Sequence, residues 1–196
     1  MKHLAKRLLH TKVGKGGMHF LPLSICFLLQ ALALLSCEDT TNTFSNREMV
    51  RCNYTVASYT ELFNALGNYG QFASIREMGT GKVRMTSGAT GKYTDYAPSK
   101  VQQYFSFGLG GLIVGTNFNG DNLAYDLACP YCDVASYRLS LADNGYCRCS
   151  HCGIQYDMNN YGIIASIDST KTYTNKPRGL YRYRITYDCT NVSVYN

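Results

Sequence analysis

Two C-x-x-C knuckles, Cys129-Pro130-Tyr131-Cys132 and Cys149-Ser150-His151-Cys152, stand 16 residues apart, with 133–148 between them. That separation falls in the C-x2-C-x15–20-C-x2-C range of four-cysteine metal sites. Each knuckle turns two sulfurs toward one point. The intervening stretch carries VASYRLSL (134–141), the turn Asp143-Asn144-Gly145 and then YCRC, which predicts a hairpin that brings the two pairs of sulfurs together. Cys129, Cys132, Cys149 and Cys152 are therefore the candidate metal ligands. Thiolates are soft donors that suit zinc, a single iron or a 2Fe-2S cluster. Zinc fits the closed spacing best, with iron or 2Fe-2S as the alternative. In an oxidising compartment the same cysteines could instead form disulfides.

The compartment is suggested by the leader. A basic stretch ending at Lys15 precedes the apolar run FLPLSICFLLQALALL (20–35), and small residues follow at Ser36 and Cys37. This is the tripartite pattern of an export signal. The run is short of the roughly 20 apolar residues of a spanning helix, and Pro22 and Gln30 interrupt it. Leu34-Leu35-Ser36-Cys37 resembles a bacterial lipobox, so residues 1–36 are expected to be a lipoprotein signal peptide and Cys37 the lipidated residue. The expected location is the cell envelope, as a membrane-anchored protein facing the periplasm or the outer-membrane surface. Acyl chains contribute about 0.8 kcal/mol per buried methylene, enough for several of them to hold a small domain on a membrane.

Removing that leader also changes what the charge means. The chain has 19 basic and 13 acidic residues, a net +6. Five of the basic residues and none of the acidic ones precede residue 37, so the remainder carries about +1. Nucleic acid is not an expected partner, because that binding needs Lys and Arg concentrated on a folded face. Of the four histidines only His151 lies downstream of the leader. A site needing two imidazoles from one mature chain is excluded.

Residues 37–57 (CEDTTNTFSNREMVRCNYTVA) are polar, show no sustained period and read as a tether. Thr60–Leu66 before Gly67 is the one predicted helix. The remainder, 58–196, reads as a β domain. GLIVGTNF (111–118), the turn Asn119-Gly120 with Asp121-Asn122, and LAYDLAC form a predicted hairpin. Tyr181, Tyr183, Ile185 and Tyr187 alternate with polar residues as a half-buried strand, and VSVY (192–195) can pair beside it. The Gly- and Thr-rich stretch 79–98 fits an excursion between strands. Cys52 and Cys189, near opposite ends of the domain, are a candidate disulfide worth about 2 to 4 kcal/mol. Cys147 is left over, either as a substitute ligand, a buried thiol or a disulfide partner. His151 is either an exposed knuckle residue or a group that ligates or tunes the site.

The segments AYDLACPYC, CSHCGIQYDMNNYG and LYRYRITYD resemble the Rieske iron-sulfur domain over about residues 100 to 196, with a looser lead-in from about residue 58. That family carries C-x-H in one loop and C-x-x-H-G-S-x-F-D in the other. Cys149, Cys152, Gly153, Tyr156, Asp157 and Gly162 match the second loop in spacing, with Cys152 in the place of histidine. In the first loop Cys129 matches, Tyr131 stands in the histidine position and Cys132 is the next thiol. The resemblance is closest to exported Rieske-like lipoproteins of Bacteroidetes type with cysteine replacing the histidines. It implies an all-β fold, a small antiparallel β-sandwich with two metal-binding loops.

A Rieske cluster places two histidines on one iron, and an all-cysteine centre lacks those imidazoles. The expectation is thus a lipid-anchored β domain holding one metal centre, most simply structural zinc in a binding or scaffold module with an envelope protein as partner. The alternative is an electron-transfer protein with iron at the same cysteines. No nucleophile elbow or paired-acid motif assigns a catalytic residue, and a closed four-thiolate site offers zinc no open position for water.

Overall fold

The computed structural model of the protein describes residues 48–79, 81–97 and 104–196. The leader 1–36, Cys37 and residues 38–47 of the expected tether lie outside the described residues. At the centre is the expected hairpin, β6 (Leu112–Thr116) and β7 (Asn122–Asp126), paired Leu112 with Asp126 through Thr116 with Asn122. Its turn is organised by Asn117. The Asn117 Oδ1 accepts from the N–H groups of Asn119 and Asp121 at 3.1 and 2.8 Å, a local side-chain-to-backbone closure typical of Asn.

All five residues of β6 are buried. Period-2 geometry explains how a strand can be buried throughout: alternate side chains enter two different cores. Leu112, Val114 and Ala124 face one core with Val50, Tyr54, Leu62, Ile75 and Val192. Ile113, Leu123 and Tyr125 face a second core with Cys147, Ile154, Tyr156 and Leu180. A fully buried aliphatic side chain contributes about 1.5–3 kcal/mol, so this hairpin joins the two cores strongly.

Among the described residues the architecture is all-β and antiparallel, in two sheets. The larger has nine strands in the order β4-β3-β2-β6-β7-β12-β13-β1-β5. Its other members are β1 (Val50–Thr55), β2 (Gln71–Glu77), β3 (Val83–Ser87), β4 (Tyr93–Tyr96), β5 (Ser106–Phe107), β12 (Arg182–Tyr187) and β13 (Asn191–Tyr195). The smaller sheet runs β11-β10-β9-β8, from β8 (Leu139–Leu141), β9 (Tyr146–Cys149), β10 (Gln155–Asp157) and β11 (Ile163–Ser166). Among the described residues no helix is long and apolar enough to cross a membrane. The one α-helix among the described residues, α1 (Thr60–Gly67), buries Leu62, Ala65 and Leu66. Its Glu61 accepts from Thr94 Oγ1 at 2.5 Å and Tyr96 Oη at 2.6 Å, tying the helix to β4.

Three expectations are corrected. Residues 50–55, read as tether, form β1 between β13 and β5, burying Val50, Cys52 and Tyr54 on one face. The excursion at 79–98 contains the β3–β4 hairpin, with Val83 and Met85 in the first core. Cys52 and Cys189 are not joined, and both are free thiols. Cys52 is buried opposite Val194, whereas Cys189 is exposed in the turn before Asn191, itself opposite Thr55. At about 3.4 Å per residue, the three-residue offset between these levels alone is about 10 Å. A disulfide tolerates a Cα separation of roughly 7 Å at most.

Asp126, at the end of β7, is fully buried. Its carboxylate accepts from the N–H groups of Leu109, Gly110 and Ala128 at 2.7, 3.0 and 2.7 Å, and from Tyr183 Oη at 2.6 Å. Burial raises its pKa, against the pull of these four donors. The residue pins the chain just before Cys129 to both β12 and the loop entering β6. Asp126→Ala leaves four buried donors without an acceptor, each costing about 1–3 kcal/mol if unpaired. Partial relaxation leaves an expected loss of roughly 3–5 kcal/mol in denaturant unfolding.

Candidate metal centre

The two knuckles are built alike from the backbone outward. In each, the residue after the second cysteine is left-handed, Asp133 with φ 52° and Gly153 with φ 80°. Its N–H returns to the carbonyl of the first cysteine, Asp133 to Cys129 at 3.0 Å and Gly153 to Cys149 at 2.9 Å. The second position requires glycine on steric grounds as well, since an added Cβ would lie 2.7 Å from the Asp168 Cβ. Backbone N–H groups inside the knuckles point at sulfur: that of Cys132 at the Cys129 sulfur, and those of Cys152 and His151 at the Cys149 sulfur.

The expected β8–β9 hairpin sets the knuckles face to face, although its first strand begins at Leu139 instead of residue 134. Leu139 pairs with Cys149, and the isolated bridge between Ala128 and Arg138 brings the first knuckle alongside. The Cys129 N–H donates to Tyr137 O at 2.8 Å and the Leu139 N–H to Leu127 O at 2.9 Å. The second knuckle closes the β9–β10 hairpin, and the Cys149 N–H donates to Ile154 O at 3.0 Å.

Cys129, Cys132, Cys149 and Cys152 converge, their four Sγ atoms all within 4.8 Å of one another, close enough to hold a metal ion. The Sγ atoms of Cys129 and Cys152 lie 3.6 Å apart, and those of Cys132 and Cys149 3.8 Å apart. Cys129, Cys149 and Cys152 are buried and Cys132 is partly exposed. Four thiols this close cannot all ionise without a cation, because like charges in a shared site oppose one another. Cys149 is pulled down, first by a hydrogen bond from the Cys129 thiol. Cys129 is raised, by holding that proton for Cys149 and by burial. Burial pushes Cys132 up to about 12.

Several side chains around the sulfurs make contacts that the sequence reading did not assign. Tyr156, buried in the second core, places Oη 3.7 Å from the Cys129 sulfur. The segment 167–178 lies across the second knuckle: Tyr173 Oη donates to Cys152 O at 2.9 Å and accepts from the Asp168 N–H at 3.0 Å. The Thr174 N–H donates to Tyr131 Oη at 3.0 Å, and the Tyr131 and Tyr173 rings meet edge to face at 5.2 Å. Lys171 Nζ donates to His151 O. The phrase TYTN offered no periodicity. The usable signal was two tyrosines near the knuckles, each with a hydroxyl that needs a partner when partly buried.

His151 is outside the four-sulfur cluster. Its ring stacks on Tyr137 at 3.8 Å and its Nδ1 lies 3.5 Å from the Cys132 sulfur, so it touches a ligand while remaining exposed. Cys147 is a buried thiol on β9, opposite Leu141 and Tyr156, and is also outside the cluster. Burial raises its pKa. Tyr131 serves as a hydrogen-bond acceptor for the covering segment.

No family profile, curated protein or solved structure was found to match the chain.

Cobalt(II) reports directly on the ligand set, since sulfur-to-cobalt charge transfer scales with the number of thiolates. Titration is expected to saturate at one cobalt per chain, with Cys149→Ser reducing the charge-transfer intensity by about a quarter. His151→Ala is expected to leave stoichiometry and intensity unchanged, as measured by ultraviolet and visible absorption.

Proposed function

We propose that the protein is an exported, lipid-anchored β domain of Rieske-like type in which Cys129, Cys132, Cys149 and Cys152 hold one structural zinc ion. The domain acts as a binding or scaffold module in the cell envelope. The observation that carries the metal reading is the compactness of the sulfur cluster. Zinc–thiolate bonds of about 2.3 Å set tetrahedrally give sulfur–sulfur edges of about 3.8 Å. Two edges measure 3.6 and 3.8 Å, and every pair lies within 4.8 Å. A 2Fe-2S centre binds its thiolates as two pairs on separate irons, which calls for a more elongated arrangement, so the compact set favours one ion.

A fully thiolate, four-coordinate shell leaves no open position on the metal, which suits structure better than hydrolysis. Zinc at this point bonds the loop after β7 to the loop after β9. Metal affinity then adds to folding stability, because the unfolded chain has no preformed site. The anchoring part of the proposal rests on the residue pattern 20–37. Cys37→Ser is expected to move the protein out of the membrane fraction, and retention there counts against lipidation.

A second reading, electron transfer through a single iron at the same cysteines, is favoured by one observation. Cys132 is partly exposed and meets the exposed His151, so the centre has an edge near the surface where an electron partner can approach. Elemental analysis and visible absorption of protein purified from its native source separate the two. The structural-zinc reading expects a colourless protein with one zinc per chain. A red or brown protein that bleaches reversibly on reduction establishes the iron reading instead.

A further inference from the structure

Away from the cysteines, the register of three strands aligns an unusual set of side chains. Arg76 on β2 sits opposite Arg84 on β3, and Arg84 opposite Asp95 on β4. The next row on the same face holds Ser74, Thr86 and Tyr93. Like charges directly opposite on a ladder are destabilising, so the Arg76–Arg84 pair needs a reason. Arg84 is accounted for: Nε and Nη2 reach the two oxygens of Asp95 at 2.6 and 2.8 Å, and its guanidinium lies 3.9 Å above the Tyr93 ring.

Arg76 has no such partner. Its Nη2 lies 3.2 Å from the Met78 sulfur, and it forms no ion pair among the described residues. A third arginine, Arg138 just before β8, comes from the opposite wall, its Nε donating to Gly110 O at 2.8 Å. It too forms no ion pair among the described residues. Burial and then the charge of Arg76 lower the Arg138 pKa, as expected of one cation held near another. These residues line one cleft of about 370 Å³ between the β2–β3–β4 face and β8. Ser74, Thr86 and Ser140 add hydroxyl groups, while Leu127 and Leu139 supply apolar surface.

The nearby acids do not neutralise the cleft. Asp95 is committed to Arg84, and Asp126 is fully buried with four donors of its own. Two guanidiniums that form no ion pair among the described residues, with planar forks that match oxyanion geometry, remain on a polar concave surface. The volume is at the lower end of small-ligand sites.

We propose that this cleft binds a small ligand bearing an oxyanion, either a carboxylate or a phosphoryl group, seated between Arg76 and Arg138, with the hydroxyl-lined wall facing the ligand's polar body. The proposal is independent of what occupies the four cysteines.

Isothermal titration of the purified full protein at low ionic strength, with inorganic phosphate and with citrate as probes, tests it. Saturable binding of at least one probe is expected, and the preferred probe distinguishes a phosphoryl from a carboxylate ligand. Arg76→Gln is expected to weaken that binding about tenfold or more, the loss of a charge-assisted hydrogen-bond partner. Arg184→Gln, a solvent-facing charge on β12, is expected to leave it unchanged. Arg138→Gln also removes the bond to Gly110, so Arg76→Gln carries the test if that variant does not fold. Absence of saturable binding by either probe, or binding that Arg76→Gln leaves intact, overturns the proposal.

Discussion

Two sulfur-bearing loops can meet only if the strands that lead into them are held in one register, and here the pairing of Leu139 with Cys149 holds it. A slip of one residue along β8–β9 would turn Cys149 outward and Arg148 into the second core, since side chains alternate across a strand. The core opposes that slip. Cys147 and Cys149 are both buried there, whereas Arg148 is exposed. The same register draws Arg138 beside Ala128 and so places Cys129 opposite the second knuckle. Hydrophobic burial thus fixes the geometry of the sulfurs before any metal is considered, and a metal held there would add a direct bond between loops that the sheet already brings together.

What the sheet cannot supply is charge compensation. Among the bare thiols the pull is uneven: a hydrogen bond from the Cys129 thiol lowers Cys149, while holding that proton and burial raise Cys129. A divalent ion reverses that balance by ionising all four, so binding releases protons and joins metal affinity to folding. The N–H groups directed at the sulfurs of Cys129 and Cys149 spread the remaining negative charge, and the Tyr156 hydroxyl adds to this at Cys129. The segment 167–178 then covers the second knuckle through tyrosine hydroxyls and backbone groups, leaving Cys132 as the more accessible edge.

Much of this was legible because the signals were local. The C-x-x-C spacing, the turn at 143–145 and the Asn-Gly turn at 119–120 each act within a few residues, and the hairpins they predict are present. The strand Arg182–Tyr187 was readable from its alternation, and α1 from the glycine at its end, although Gly67 lies within the helix and Asn68 follows it. β1 was misread because its partner, β13, lies at the other end of the chain. Its Val50, Cys52 and Tyr54 do alternate, but polar neighbours and a polar lead-in concealed a two-residue period that runs for only six residues. In β3 the alternation of Val83 and Met85 was likewise hidden by glycine and threonine on either side. Asp126 could not be anticipated, because a carboxylate in a strand normally faces solvent, and only the tertiary fold delivers four donors to it. The cleft of Arg76 and Arg138 joins residues from two sheets, a proximity that no local pattern encodes.

The central claim is that one metal ion is held by four sulfurs and nothing else. X-ray absorption at the edge of the bound metal tests it most directly, because it counts the donor atoms and detects any second metal nearby. The account predicts a single shell of four sulfurs at about 2.3 Å with no metal–metal scattering. A nitrogen in the first shell, fewer than four sulfurs, or a short metal–metal vector would contradict it.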